Sequence, residues 1–266
     1  MESVEKEFGT VKVTRKKGYA IVALNRPEKS NALSPELIDD FVEAWKDTAY
    51  DDSIRSLIIT GTGKNFSAGG DIVKDINPLR DKSVNEFRGY LNQAEDMYRG
   101  IIDLEKPVIA AMNGYAVGAG LDLALSCDIR IAADNAKMGE FFVKMCLTPE
   151  MGIYLLPRLV GLGWAKMICL TGDTLDAAQA EKIALVEKVV PADDLMNEAE
   201  NLAERLANGP VAIGFIKRAL NESLKMTIES SFDYISRLQY QVVQTEDHKE
   251  AVTAWIEKRQ PSFKGK

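Results

Sequence analysis

The sequence predicts an α/β protein whose strand-and-helix units lead into a helical C-terminal subdomain. Three observations support that prediction. Short apolar runs rich in β-branched residues alternate with stretches of helical period through the first half of the chain. Two of the turns from strand to helix are reduced to glycine, alanine and serine. From Thr148 onward helices dominate. The chain has 266 residues, 46% of them hydrophobic, which suffices to bury a large core and fits one large domain or one and a fraction.

Taken in order, "TVKVTRK" and "YAIVALN", joined by a Lys17-Gly18 turn, predict a hairpin. Ser34, Pro35 and Glu36 then open a helix over "SPELIDDFVEAWKDTAYD". "RSLIIT", Arg55 to Thr60, is short, apolar and β-branched, and predicts a strand buried on both faces and ended by Gly61-Thr62-Gly63. After the first glycine loop, "VNEFRGYLNQAEDMYRGIIDLE" predicts a long amphipathic helix, and Pro107 introduces the strand "VIAAMN". A second glycine loop leads to the helix "LDLALSCD" and the strand "IRIAAD". Helices follow at "YLLPRLVG", "GWAKMICLTG" and "DAAQAEKI", with one strand, "LVEKVV", before Pro191. A soft boundary is expected near 200, dividing a core domain, 1–200, from a C-terminal helical subdomain, 201–266, that packs on a neighbour and closes the site.

Formal net charge is -7, from 33 basic and 40 acidic residues, so neither nucleic acid nor an anionic membrane is an expected partner. Cys127, Cys146 and Cys169 show no paired metal-ligand spacing and are odd in number, which predicts reduced core thiols. The start "MESVEKEFGTVKV" lacks the apolar run of a secretory signal, and no stretch approaches the ~20 apolar residues of a membrane span. A cytoplasmic protein is expected. The single histidine, His248, sits in the charged run "TEDHKEAV", so histidine triads and histidine-based metal sites are not expected.

The two glycine loops point to chemistry. "GKNFSAGGDI" follows a strand, and "NGYAVGAGLDLALSCD", Asn113 to Asp128, repeats its plan. Each is a tight turn when taken alone. If the two face each other, one N–H from each converges on a single oxygen, with a helix N-terminus behind the second. That is an oxyanion hole for a carbonyl whose oxygen gains negative charge.

With these loops in view, the chain resembles the crotonase, or enoyl-CoA hydratase/isomerase, superfamily over essentially its full length. The resemblance is carried by "LNRPEKSNALSPEL", "GTGKNFSAGGDI", "KPVIAAMNGYAVGAGLDLALSCDIRIA", "GEFFVKMCLTPEMGIYLLPRLVG" and "KEAVTAWIEKRQPSFKGK", in order and with their spacing intact. It implies crotonase-like repeated ββα units, assembly as a homotrimer or homohexamer, and an acyl-CoA thioester as substrate, with no metal and no cofactor beyond the coenzyme A of the substrate. By position, the oxyanion amides fall on Gly70 and Ala119. Lys29, Ser30 and the carbonyl of Ala68 line the CoA site. Trp255 and Lys258 match positions that reach the adenine and 3′-phosphate region, often across a subunit boundary; the alternative for this pair is a packed indole and a solvated lysine.

Such chemistry passes through a thioester enolate held by two fixed N–H groups, while a carboxylate moves the proton. In the resembling hydratases two glutamates hold a water. Here the first position falls on Asp122 and the second on Phe142, so that arrangement is incomplete. Glu150, in "LTPEMG", offers another base, because several crotonase-type isomerases place one Glu or Asp in this turn. Two enzymatic readings result: a double-bond isomerase using Glu150 alone, and an atypical hydratase using Asp122 with Glu150. Other roles remain for these acids: Glu150 as an N-cap or a solvated loop charge, and Asp122 as a buried structural acid. Glu140 is expected to face away from the site if "KMGEFF" is a strand. A hydrolase or decarboxylase, or a non-catalytic binding module on this fold, is the alternative function. Phe87, Tyr90 and Tyr98 recur at helical spacing near the expected acyl pocket and suit either core or substrate wall.

Overall fold

A computed structural model describes residues 3–266. The predicted alternation is present. Strands β1 (Val4–Phe8), β2 (Val11–Arg15) and β3 (Tyr19–Leu24) form an antiparallel meander, followed by helix α1 (Pro35–Ala49) and strand β4 (Ser56–Gly61). Helix α2 (Val84–Ile102), strands β5 (Val108–Met112) and β6 (Tyr115–Val117), helix α3 (Ala119–Leu125) and strands β7 (Ile129–Ala133) and β8 (Lys137–Gly139) come next. Helices α4 (Met151–Leu159) and α5 (Gly161–Thr171) precede strand β9 (Leu175–Asp176), helix α6 (Ala177–Lys182) and strand β10 (Lys188–Val190). Helices α7 (Leu195–Ala207), α8 (Ala212–Ser223), α9 (Ile228–Val243) and α10 (Glu246–Glu257) complete the chain.

Seven strands build the main sheet in the order β1-β2-β3-β4-β5-β7-β10, parallel from β3 onward. All six residues of β4 are buried, as its uninterrupted apolar run predicts for a parallel strand covered on both faces. The helices start where the sequence offers caps. Ser34 accepts from the Leu37 amide to open α1, and Ser83 with Glu86 forms a capping box for α2.

Two features were not expected. The charged N-terminal segment forms β1, whose Glu5, Lys6 and Glu7 keep the sheet edge polar. A second sheet, β6-β8-β9, stands apart from the first and is built from strands of two or three residues. It matters for function because β6 runs directly into the second glycine loop.

Position 200, the expected soft boundary, lies inside α7, which packs along β3, β4, β5 and β7. Helices α8 to α10 extend beyond it. Lys217 of α8 is buried, with Nζ 2.8 Å from the Asp128 carboxylate and donating to the carbonyls of Ile101 (2.9 Å) and Lys106 (3.1 Å). Elsewhere these helices leave large apolar side chains exposed, among them Ile228, Phe232, Tyr240 and Ile256. Among the described residues, no helix is long and apolar enough to cross a membrane.

Candidate active site

The two glycine loops do face each other. A glycine with positive φ precedes each expected amide: Gly69 (φ 85°) before Gly70, and Gly118 (φ 53°) before Ala119. A Cβ on Gly69 would stand 2.6 Å from the Val117 carbonyl oxygen, so the loops touch through bare backbone. Ser67 stitches them together: its amide donates to Tyr115 O (2.9 Å) and its carbonyl accepts from Val117 N (3.1 Å). On the other side, Leu33 N donates to Gly69 O (2.8 Å) and Asp71 N to Leu33 O (2.7 Å). The amides of Gly70 and Ala119 donate to nothing among the described residues, and both residues line one cavity of about 470 Å³.

Glu150 lines the same cavity. It occupies the position just before α4, yet its side chain does not cap that helix. The helix start is held instead by Asp122 of α3, whose Oδ2 accepts from the amides of Glu150 (3.2 Å) and Met151 (3.1 Å). Glu150 is thereby free to turn inward. Burial raises its pKa; the Tyr98 hydroxyl beside it lowers it in part, and the charge of Asp75 raises it further. Tyr98 is itself buried, with its hydroxyl 3.5 Å from the Ala119 carbonyl. One phenol thus stands between the candidate base and the residue that carries the second amide.

Asp122 does not line the cavity. It is fully buried behind the wall, beside the carboxyl of Glu140. This corrects the expectation for Glu140: β8 ends at Gly139, and Glu140 turns inward with no exposed surface. Neither of its oxygens, nor Asp122 Oδ1, has a hydrogen-bond donor among the described residues. A proton shared between the two carboxyls would satisfy Asp122 Oδ1 and one oxygen of Glu140, leaving the other Glu140 oxygen open. Burial raises both pKa values, with the charge of Glu150 adding to it at Asp122 and the charges of Asp122 and Glu150 adding to it at Glu140, the condition under which such a proton is retained. The pair crowds Gly152, where a Cβ would lie 2.6 Å from Glu140 Oε1 and 3.0 Å from Asp122 Oδ1.

A carboxyl that the sequence did not single out, Asp75, also lines the cavity. It lies in a π-helical turn, Ile72–Ile76, capped by Asp71. In the string "DIVKDI" it reads as one more surface charge; only the tight turn after the glycine loop directs it inward. Helix α2 and the loop before it add Leu79, Phe87, Tyr90 and Tyr98 to the wall, the segment leading into α4 adds Leu147 and Pro149, and α4 itself adds Tyr154. Phe142 stands there too.

A second cavity of about 360 Å³ shares Gly70, Ala119 and Phe142 with the first, and Lys29 and Ala68 line it. Ser30 sits behind, its carbonyl accepting from Ala68 N (2.9 Å). Trp255 and Lys258, at the end of α10, line neither cavity of the single chain, and Trp255 is 86% exposed.

Residues 14–266 match the family described as Enoyl-CoA hydratase/isomerase. The chain is 37% identical to a short-chain-enoyl-CoA hydratase of Clostridium acetobutylicum over 95% of this chain and 97% of that one. It is equally 37% identical to a 1,2-epoxyphenylacetyl-CoA isomerase of Escherichia coli, over 94% of this chain and 96% of that one. A solved enoyl-CoA hydratase from Bacillus anthracis superposes with a TM-score of 0.89 at 30% identity, covering 97% of this chain and 100% of the other.

Proposed function

The chain belongs to the enoyl-CoA hydratase/isomerase family, the crotonase superfamily, and from that premise we propose that it moves the double bond of an enoyl-CoA thioester, with Glu150 as base and the Gly70 and Ala119 amides as oxyanion hole. It is an enzyme of that family, a lyase or an isomerase. The observation that supports the finer reading is the meeting of two undonated amides and the inward Glu150 carboxyl in a single cavity. Removing a proton next to the thioester sends negative charge to its oxygen, and fixed N–H groups there need no reorganisation as the charge develops. A raised pKa brings Glu150 closer to working pH, where a general base is most effective. This proton transfer calls for no metal and no cofactor besides the coenzyme A of the substrate.

Phe142 lines the cavity where a hydratase of this superfamily would place its second glutamate, which favours rearrangement over standard hydration. Addition of water is the second reading, supported by a relative named as a hydratase at the same identity as the isomerase. The groove past Lys29 and Ala68 suits the CoA portion. Trp255 and Lys258 do not line that groove in the single chain, and a homotrimer or homohexamer would bring such positions to a neighbour's site. The acidic balance and the free cysteines fit a cytoplasmic enzyme without nucleic-acid or membrane partners.

Purified protein incubated with 2-enoyl-, 3-enoyl- and cyclic dienoyl-CoA thioesters in H₂¹⁸O, followed by mass spectrometry, tests the reading. Rearrangement without added mass is expected, and Glu150→Gln is expected to lose at least ~10²-fold in kcat while CoA-thioester binding persists. Unchanged turnover in that variant rules Glu150 out as base, and a product heavier by one labelled water shifts the assignment to hydration.

A further inference from the structure

Asp75 is the buried cavity carboxyl without a role so far; Glu95, which also lines the cavity, is exposed and paired with Arg99. It is 5% exposed and lines the cavity together with Glu150. Its Oδ2 accepts from the Tyr90 hydroxyl at 3.1 Å and packs over Gly70, where an added Cβ would lie 2.9 Å away. Its Oδ1 is buried without a hydrogen-bond partner among the described residues. A buried oxygen left open in this way is unfavourable until something enters to meet it.

The arrangement repeats across the cavity. Tyr98 stands with Glu150 beside Ala119, and Tyr90 stands with Asp75 beside Gly70. The two tyrosines are eight residues apart on α2, ~12 Å along its axis. Each expected oxyanion amide therefore has its own carboxyl and phenol, and the two carboxyls come from different elements. They are close enough for the charge of Asp75 to act on Glu150. Asp122, by contrast, has one oxygen committed to two backbone amides and lies outside the cavity.

We propose that Asp75 is the second proton-transfer group of this site, returning to one carbon of the acyl group a proton equivalent to the one Glu150 takes from another. The proposal rests on the acyl-CoA reading above. On a 3-enoyl-CoA, the Glu150 carboxylate takes a proton from C2, and the C–H electron pair becomes a dienolate with its charge on the thioester oxygen. The Asp75 carboxylic acid gives its proton to C4, and the double bond now joins C2 and C3. Glu150 is left protonated and Asp75 ionised; transfer of one proton through solvent restores the starting state. The pair thus holds one proton between two carboxyls, with Asp122 and Glu140 acting behind it to position Glu150.

Charged and titratable groups around Asp75 are compatible with that state. Burial pushes its carboxyl up to about 6, with Tyr90 and Lys82 lowering it and Asp71 raising it. A site that works with one proton on two carboxyls has a bell-shaped pH profile whose two limbs belong to the pair.

The test uses 3-enoyl-CoA carrying deuterium at C2, turned over in H₂O by the wild type, Asp75→Asn and Asp75→Glu, with full pH–rate profiles. Expected results are a product without deuterium at C4, and a loss of at least ~10²-fold in kcat for Asp75→Asn with KM changed only a few-fold. The bell should collapse to the single limb of Glu150 ionisation, because the limb that belongs to the Asp75 acid is gone, and Asp75→Glu should recover much of the rate. Tyr90→Phe gives an independent check if Asp75→Asn fails to fold: losing a donor that favours the ionised form moves the Asp75 limb to higher pH. Deuterium carried to C4, wild-type kcat in Asp75→Asn, or two unmoved limbs in both variants overturns the assignment while leaving Glu150 as base. A wild type that turns over no enoyl-CoA overturns the acyl-CoA reading along with it.

Discussion

At the scale of single residues, Glu150 sits between opposing influences: burial and the charge of Asp75 raise its pKa, and the Tyr98 hydroxyl lowers it. Tyr98→Phe removes the lowering influence, so the Glu150 pKa rises. A base must be ionised to act, and the limb on which activity falls as pH drops should therefore move to higher pH, as a pH–rate profile would read directly. An unmoved limb would show that the phenol does not touch the working carboxylate. The place of Glu150 at the cavity was legible in the sequence because the turn "LTPEMG" sets a lone acid where the family resemblance puts a candidate base. Asp75 and the inward turn of Glu140 were not. Each depends on where a short irregular segment ends: a π-helical turn in one case, a strand stopping one residue early in the other. Neither leaves a periodic signal.

At the scale of elements, α4 is held at its start by Asp122 and pressed from behind by Glu140. Gly152 is the contact point. Replacing a helical glycine by alanine ordinarily gains about 1 kcal/mol. Here the new Cβ would enter the space of two buried carboxyls, 2.6 Å from Glu140 Oε1 and 3.0 Å from Asp122 Oδ1. Gly152→Ala should therefore destabilise, by ~1–3 kcal/mol as overpacking typically does, and lower kcat by displacing Glu150. Thermal unfolding checks the first effect and steady-state kinetics the second; a higher Tm would mean that the carboxyl pair can yield. Elements with a clear period were readable in advance: β4 from its unbroken apolar run, α2 from its amphipathic repeat. The β6-β8-β9 sheet escaped notice because strands of two or three residues are too short to show alternation, and the charged β1 resembled a tail.

At the scale of the whole molecule, the single chain leaves an unusually apolar outside on its last helices. Phe232 and Tyr240 of α9 and Trp255 and Ile256 of α10 are exposed, and large apolar side chains grouped on a surface favour a partner there. Sedimentation equilibrium should find three or six chains together, and Phe232→Asp should shift the distribution toward smaller species. A monodisperse monomer would exclude the oligomer and, with it, any role for Trp255 and Lys258 at a neighbour's site. The α/β class and the helical ending could be read from the order of periods along the chain, whereas the boundary near 200 could not, since α7 looks like the helices after it and only its packing on the sheet separates them. The strut formed by Asp122 has a consequence at this scale. It ties the helix that begins at Ala119 to the turn that carries Glu150, so the proposed amide and the proposed base are joined through one side chain. Helix α2 joins them through two phenols, Tyr98 beside Glu150 and Tyr90 on Asp75. A change on α2 that moves either phenol would therefore reach the proposed chemistry, whereas a change at Phe87 or Leu91 would alter the wall without touching either carboxyl, so only part of that helix is free to diverge.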